Sequence, residues 1–231
     1  MDDKADILEI FSSVQGEGPQ IGRRQIFVRF KGCNLNCRYC DTDTRQSSTI
    51  YETNEVLDKI DSLNVSNIHN SVTITGGEPL LHSKFLKKLL PRVKERGLKV
   101  YLETNATLAD NLSDIMEYLD IISIDIKLPS VGGNKPCWRE HRSFLDVAFD
   151  KELFIKVVVS SDMNASDFDK AIEIVKDTSF DILFVIQPET KKGCCEINIS
   201  ADELLILQEK ALKSLNNVIV IPQAHKMMGI R

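Results

Sequence analysis

Seven short runs of apolar, mostly β-branched residues recur along the chain: 25–30 (QIFVRF), 72–75 (VTIT), 99–103 (KVYLE), 121–126 (IISIDI), 153–159 (LFIKVVV), 182–187 (ILFVIQ) and 218–221 (VIVI). The runs are nearly continuous rather than alternating, which is how strands read when both faces of their sheet are covered. They predict a mostly parallel sheet. Between them apolar residues return at helical spacing: Val56, Ile60 and Leu63; Leu86, Leu89, Leu90 and Val93; Leu112, Ile115, Met116 and Leu119; Ile172 and Val175; Leu204, Leu207, Leu212 and Leu215. Ser200 and Glu203 have the spacing of a capping box and mark the start of the last of these helices, while Pro91 predicts a kink or a split in the second.

Strands alternating with helices predict an α/β fold built by right-handed crossovers, either a doubly wound sheet or a curved partial barrel. No linker, repeat or low-complexity stretch interrupts it, so residues 1–231 read as a single domain. The least regular stretch, 128–141 (LPSVGGNKPCWREH), holds the only Trp and is expected to form a loop or lid, most simply a surface insertion at about 128–150.

Composition narrows the class. With 231 residues, 42% of them hydrophobic, the chain can build a core without staples, burying roughly 70 to 75% of its unfolded surface. The 29 Lys and Arg against 34 Asp and Glu leave a net charge of -5 with no dense basic run, which disfavours nucleic-acid binding. No apolar run approaches the ~20 residues that span a bilayer, and the acidic start 1–10 (MDDKADILEI) lacks a signal peptide's charge pattern; a cytoplasmic, non-membrane chain is expected.

The six cysteines stand at 33, 37, 40, 137, 194 and 195, and the first three share one loop. Such crowding in a reducing compartment suggests metal rather than bridges. Three thiolates leave a tetrahedral structural zinc one ligand short, and no His lies close by in sequence. In a cubane 4Fe-4S cluster, three cysteines leave one iron without a protein ligand. Spacing alone leaves open a zinc site or an electron-transfer cluster completed by Cys137, Cys194 or Cys195.

Cys33-Asn-Leu-Asn-Cys37-Arg-Tyr39-Cys40 resembles the signature loop of the radical S-adenosylmethionine (SAM) superfamily, and Thr75-Gly76-Gly77-Glu78-Pro79, closing the run VTIT, resembles that superfamily's GGEP motif. The resemblance implies a single-domain partial (β/α) barrel with a mostly parallel sheet. It also implies a 4Fe-4S cluster on Cys33, Cys37 and Cys40, whose fourth iron takes the methionyl amine and carboxylate of SAM. An electron from the cluster would then cleave the sulfonium to a 5'-deoxyadenosyl radical. The end of a strand is where α/β folds place ligands, and glycine lets a ligand approach bare backbone.

Further stretches resemble the 7-carboxy-7-deazaguanine synthase family within that superfamily: 13–19 (SVQGEGP), 27–30 (FVRF) leading into Gly32-Cys33-Asn34-Leu35, Cys40-Asp41-Thr42, and the tail 221–226 (IPQAHK). The match runs nearly end to end and is weak between about 128 and 153. It implies a radical, Mg2+-dependent ring contraction of 6-carboxy-5,6,7,8-tetrahydropterin to 7-carboxy-7-deazaguanine with loss of ammonia, on the route to queuosine-like or archaeosine-like tRNA bases. It also implies a flavodoxin or ferredoxin reductant and a homodimer.

Residue by residue, the resemblance puts Thr42 on Mg2+, and Tyr39, Gly77, Glu78, Asp125, Lys127, Gln187, Pro188, Glu189 and Thr190 on SAM. Asp125-Ile126-Lys127 stands where the family has Ser-Pro-Lys, and an Asp there suits ribose hydroxyls. The pterin falls to Val14, Gln15, Gly16, Arg29, Thr75, His225 and the terminal carboxylate of Arg231. Arg29 interrupts an apolar strand, as a fork for a carboxylate or as one half of a structural salt bridge. The strand end 103–105 (ETN) is expected to line the same pocket, and Cys137, Cys194 and Cys195 have no place in the motif and read as free thiols. The rival functions are an activase that takes hydrogen from a glycine of a partner protein, and a non-catalytic iron-sulfur or zinc protein.

Overall fold

The structure, a computed structural model, describes residues 3–42, 46–191 and 195–230; Cys194 and Arg231 lie outside the described residues. Its sheet opens with a strand that the apolar pattern does not announce, β1 (Lys4–Val14), followed by β2 (Arg24–Phe30) and a second unannounced strand, β3 (Thr49–Glu52). The remaining apolar runs all become strands: β4 (Ser71–Gly76), β5 (Lys99–Thr104), β6 (Ile121–Ile126), β7 (Glu152–Val159), β8 (Leu183–Pro188) and β9 (Val218–Val220).

The strand order is β3-β1-β2-β4-β5-β6-β7-β8-β9. β1 runs antiparallel to both β2 and β3, and every pair from β2 to β9 is parallel. Strands that follow sequence order from β4 onward, joined by helical crossovers and open between β3 and β9, make the expected partial barrel. The crossovers hold α1 (Thr53–Leu63), α2 (Ser83–Glu95), α3 (Ala109–Ser113), α4 (Pro129–Gly132), α5 (Trp138–Ala148), α6 (Ala165–Thr178) and α7 (Ala201–Leu212), and α8 (Ala224–Met228) follows β9.

Register explains where the cavity forms. Val28 pairs with Ile74, Ile74 with Leu102 and Leu102 with Ile122, an unbroken row of side chains with no exposed surface. Because side chains alternate between faces, the next residues, Arg29, Thr75, Glu103 and Ser123, point the other way and make that inner face polar. The larger apolar core thus fills one side of the sheet, while the other carries this polar row above a smaller apolar cluster of Tyr101, Ile121, Phe154 and Val185.

Four expectations change. Helix α2 runs unbroken through Pro91, because Leu86, Leu89, Leu90 and Val93 are all fully buried beneath it and their packing outweighs one missing hydrogen bond. The stripe 112–119 is split between α3 and a 3-10 turn at Met116–Tyr118. Ser200 caps α7 as its spacing requires, but Leu212 is 49% exposed and the buried face closes with Ala211 and Leu215. The stretch at about 128–150 is no loop: it holds α4 and α5, whose residues Phe144, Leu145 and Ala148 are buried. Among the described residues no helix is long and apolar enough to cross a membrane.

Candidate active site

The polar inner face closes into a cavity of ≈ 360 Å³. Of the expected residues, Val14, Gln15, Gly16, Arg29, Cys33, Cys37, Tyr39, Cys40, Thr42, Thr75, Gly77, Asp125, Lys127, Gln187 and His225 all line it. Glu78, Pro188, Glu189 and Thr190 do not. Pro188 closes β8 beside Val159, and in the segment that follows Glu189 bonds Val159 and Asn198 and Thr190 bridges Ile197.

The cavity has two covers, from opposite ends of the chain. The turn after β1 meets the tail directly: Ala224 N-H donates to Gly16 O at 2.9 Å, and a Cβ added at Gly16 would lie 2.4 Å from that of His225. Gly16 is therefore required by close approach rather than by turn geometry. Lys226 extends from the tail to within 3.5 Å of Asp41, beside the last cysteine of the loop.

The cysteine loop follows β2 and leans on the glycine motif. Glu78 N-H donates to Gly32 O at 2.8 Å and Gly77 N-H to Phe30 O at 3.0 Å, while a Cβ at Gly77 would stand 1.9 Å from Gly32 O. Glu78 itself turns into the protein, where its carboxylate accepts from Leu80 N-H, the Thr104 hydroxyl and Asn105 N-H at 3.0, 2.9 and 2.8 Å. Burial pushes its carboxyl up to about 7 in spite of those bonds. It braces the strand ends. Among the described residues each hydrogen-bond donor to the sulfurs is a neutral amide: Leu35 N-H stands 3.4 Å from Cys33 Sγ, Asn105 Nδ2 3.7 Å from the same atom, and Asn134 Nδ2 2.9 Å from Cys37 Sγ.

The deeper end holds a network of buried charge. Lys156 on β7 pairs with Glu17 and lies 3.4 Å from Asp125, Lys127 pairs with Asp125 at 2.6 Å, and Gln223 Nε2 donates to Glu17 Oε1 at 2.8 Å. Burial alone would raise the Glu17 carboxyl, but Lys156, with His225 and Gln223, holds it well below the carboxylate range. Burial likewise works against the Lys156 ammonium, and the Glu17 and Asp125 carboxylates push it above its ordinary value. Both groups stay charged. Nearby, Glu103 accepts from Gln15 Nε2 at 2.8 Å and from the Thr75 hydroxyl at 2.6 Å. Arg29 is held by Glu9 at 3.2 Å and lies over the Phe11 ring, so the structural half of its reading is present.

Sequence reasoning missed Lys156, Ser123 and Gln223 as lining groups and Asn134 altogether. Lys156 carried a usable signal, a lone cation inside the apolar run LFIKVVV, of the same kind that drew attention to Arg29.

Residues 27–186 match the Radical SAM superfamily. A 7-carboxy-7-deazaguanine synthase of Geobacter sulfurreducens is 39% identical over 97% of this chain and 97% of its own length. This chain belongs to the 7-carboxy-7-deazaguanine synthase family of radical SAM enzymes. A second member, from Methanothermobacter thermautotrophicus, is 36% identical over 99% of this chain and 98% of its own length. In fold, the crystal structure of QueE from Escherichia coli superimposes with a TM-score of 0.65 at 22% identity, covering 96% of this chain and 95% of that one.

A radical SAM enzyme works with a 4Fe-4S cluster and SAM, and the residues present fit both. Cys33, Cys37 and Cys40 line one end of the cavity, while Cys137 and Cys195 stand outside it with their thiols on the carbonyls of Lys135 and Lys226. Among the described residues no three His, Cys, Asp or Glu side chains are grouped as a single metal ion requires. The N-H donors on the sulfurs of Cys33 and Cys37 suit ligation of such a cluster. For SAM, Asp125 Oδ1 and Gln187 Oε1 line the cavity buried and without a hydrogen-bond partner, two acceptors left for the donors of a nucleoside.

Proposed function

We propose that this chain converts 6-carboxy-5,6,7,8-tetrahydropterin to 7-carboxy-7-deazaguanine, with loss of ammonia, inside the cavity between the cysteine loop and the Glu17-Lys156 network. Near-full-length kinship with two synthases of that name supports the reaction. The observation that carries the small-molecule reading is the seating of the Gly16 turn on the His225 tail, which encloses a volume in the range of small-ligand pockets. An activase for a partner protein needs that mouth open.

In this reading Cys33, Cys37 and Cys40 hold the cluster, and Tyr39, Gly77, Asp125, Lys127 and Gln187 contact SAM. When bound, the cluster and SAM supply a 5'-deoxyadenosyl radical, and Mg2+ beside Thr42 supplies a cation for the substrate carboxylate. Val14, Gln15, Gly16, Thr75 and His225 face the pterin. Glu103 holds the Gln15 amide and the Thr75 hydroxyl in place, so the donor and acceptor edge offered to the heterocycle is set before it binds. Glu17 and Lys156 keep a fixed pair of opposite charges at the wall, and Gln223 ties that wall to the tail that excludes water. The physiological reductant is a flavodoxin or ferredoxin, the enzyme a homodimer, and the product a precursor of a deazapurine tRNA base; these follow from the family resemblance.

Anaerobic turnover with the carboxy-tetrahydropterin, SAM, Mg2+ and dithionite tests the reading by mass spectrometry. Deazaguanine carboxylate formed with one equivalent of ammonia is expected. 5'-Deoxyadenosine without that product overturns the substrate assignment.

A further inference from the structure

The loop that carries the three cysteines is held from the side by the segment after β6. Arg38 N-H donates to Gly132 O at 2.9 Å, and its guanidinium reaches the carbonyls of Ser130 and Val131. Asn134 makes two contacts: Oδ1 accepts Asn36 N-H at 2.9 Å, and Nδ2 stands 2.9 Å from Cys37 Sγ. The first contact fixes the second. A backbone N-H can only donate, so the amide oxygen must face Asn36 and the amide NH2 must face the sulfur.

Two glycines let this segment approach. A Cβ at Gly132 would lie 3.0 Å from Asn134 Nδ2 and 3.8 Å from Cys37 Sγ; one at Gly133, where φ is +76°, would lie 3.1 Å from Arg38 Nε. Of the three amide donors near the cysteine sulfurs, Asn134 is the nearest.

We propose that Asn134 is a positioning residue that raises the reduction potential of the cluster by donating to the Cys37 thiolate. The proposal rests on the reading that Cys33, Cys37 and Cys40 hold a 4Fe-4S cluster. Adding one electron makes the cluster more negative, and an N-H donor on a ligating sulfur stabilises that form more than the oxidised one. The neutral amide achieves this without adding a charge to the loop, and the same side chain sets the loop's shape through Asn36.

The test is a potentiometric titration of the reconstituted holoenzyme without substrate, read by electron paramagnetic resonance, on wild type, Asn134→Asp, Asn134→Ala and Asn134→Gln. Aspartate keeps an oxygen for Asn36 N-H but offers sulfur no donor. At the potential that half-reduces wild type, the reduced-to-oxidised ratio is expected to fall about tenfold in N134D, equivalent to ~59 mV for one electron. A smaller fall in the same direction is expected in N134A, which adds no charge, and partial recovery in N134Q. Iron and sulfide content should match wild type. N134D and N134A titrating within twofold of wild type overturn the proposal. So do folded N134D and N134A that take up no cluster, which would make Asn134 a scaffold only. If N134D does not fold, N134A decides. Wild-type protein that takes up no 4Fe-4S cluster sinks instead the reading of Cys33, Cys37 and Cys40.

Discussion

At the end of the cavity that carries Cys33, Cys37 and Cys40, the described groups that hydrogen-bond to sulfur are neutral amides from three separate segments, Leu35, Asn105 and Asn134, with the Lys127 charge acting on Cys37 only through space. At the deeper end the contacts are ionic and rooted mostly in strands, with Lys156, Asp125 and Glu103 on β7, β6 and β5 and Glu17 brought in by the turn after β1. The contrast suits what each end holds in the proposed reading. There the cluster sits at the first, and a fixed charge touching sulfur would move its potential by far more than a dipole does. In the same reading a polar heterocycle with a carboxylate binds at the second, where fixed charges on rigid strands orient it.

The contrast can be broken from either side, and the largest effect is expected at the sulfurs. Cys37→Ala should abolish cluster uptake and reduce SAM cleavage to background, while Cys137→Ala should retain wild-type iron content and activity. At the ionic end, Lys156→Met leaves the Glu17 carboxylate buried without its cation, Asp125 keeping Lys127, and is expected to cost roughly 3 to 5 kcal/mol of stability in urea titrations. Adding Glu17→Gln should recover part of that loss.

A pH titration sharpens the comparison on the cluster side. His141 has no exposed surface, lies tilted beside the Trp138 ring and bonds Ala106 O at 3.2 Å, and burial lowers its pKa from 6.5 to about 4. Between those values the unfolded chain binds the proton and the folded one does not. Stability contributed by the neutral imidazole is thus present above the unfolded value and lost as pH falls from about 6.5 to about 4, by about 3 kcal/mol at most. Guanidinium titrations across that window should show the slope, and His141→Gln should flatten it. The smallest effect is expected for Thr75→Val, which deprives Glu103 of one donor: about 1 kcal/mol, or about fivefold in kcat/KM for the pterin, with uncoupled SAM cleavage unchanged.

Most of the parallel sheet is legible in the sequence because strands buried on both faces leave continuous apolar runs, as in IISIDI and LFIKVVV. β1 and β3 are not, because they form the antiparallel margin. β1 mixes charges with apolar residues and shifts register between Ile7 and Glu9, and β3 is four mostly exposed residues. The three cysteines and most contacts proposed for SAM and pterin reach one cavity. Glu78 shows the limit: its motif is plain in the chain, yet the donors that turn it inward, at the end of β5 and just past the motif, become visible only in three dimensions. Asn134 is harder still. A lone amide after two glycines reads as turn chemistry, and nothing local says that a sulfur distant in sequence lies against it.

The most direct measurement is electron paramagnetic resonance of the dithionite-reduced, reconstituted protein with and without SAM. A 4Fe-4S signal whose shape changes on adding SAM is expected, since a cluster held by three cysteines would leave one iron for the nucleotide. A signal indifferent to SAM, from a cluster with four protein ligands, would contradict the account.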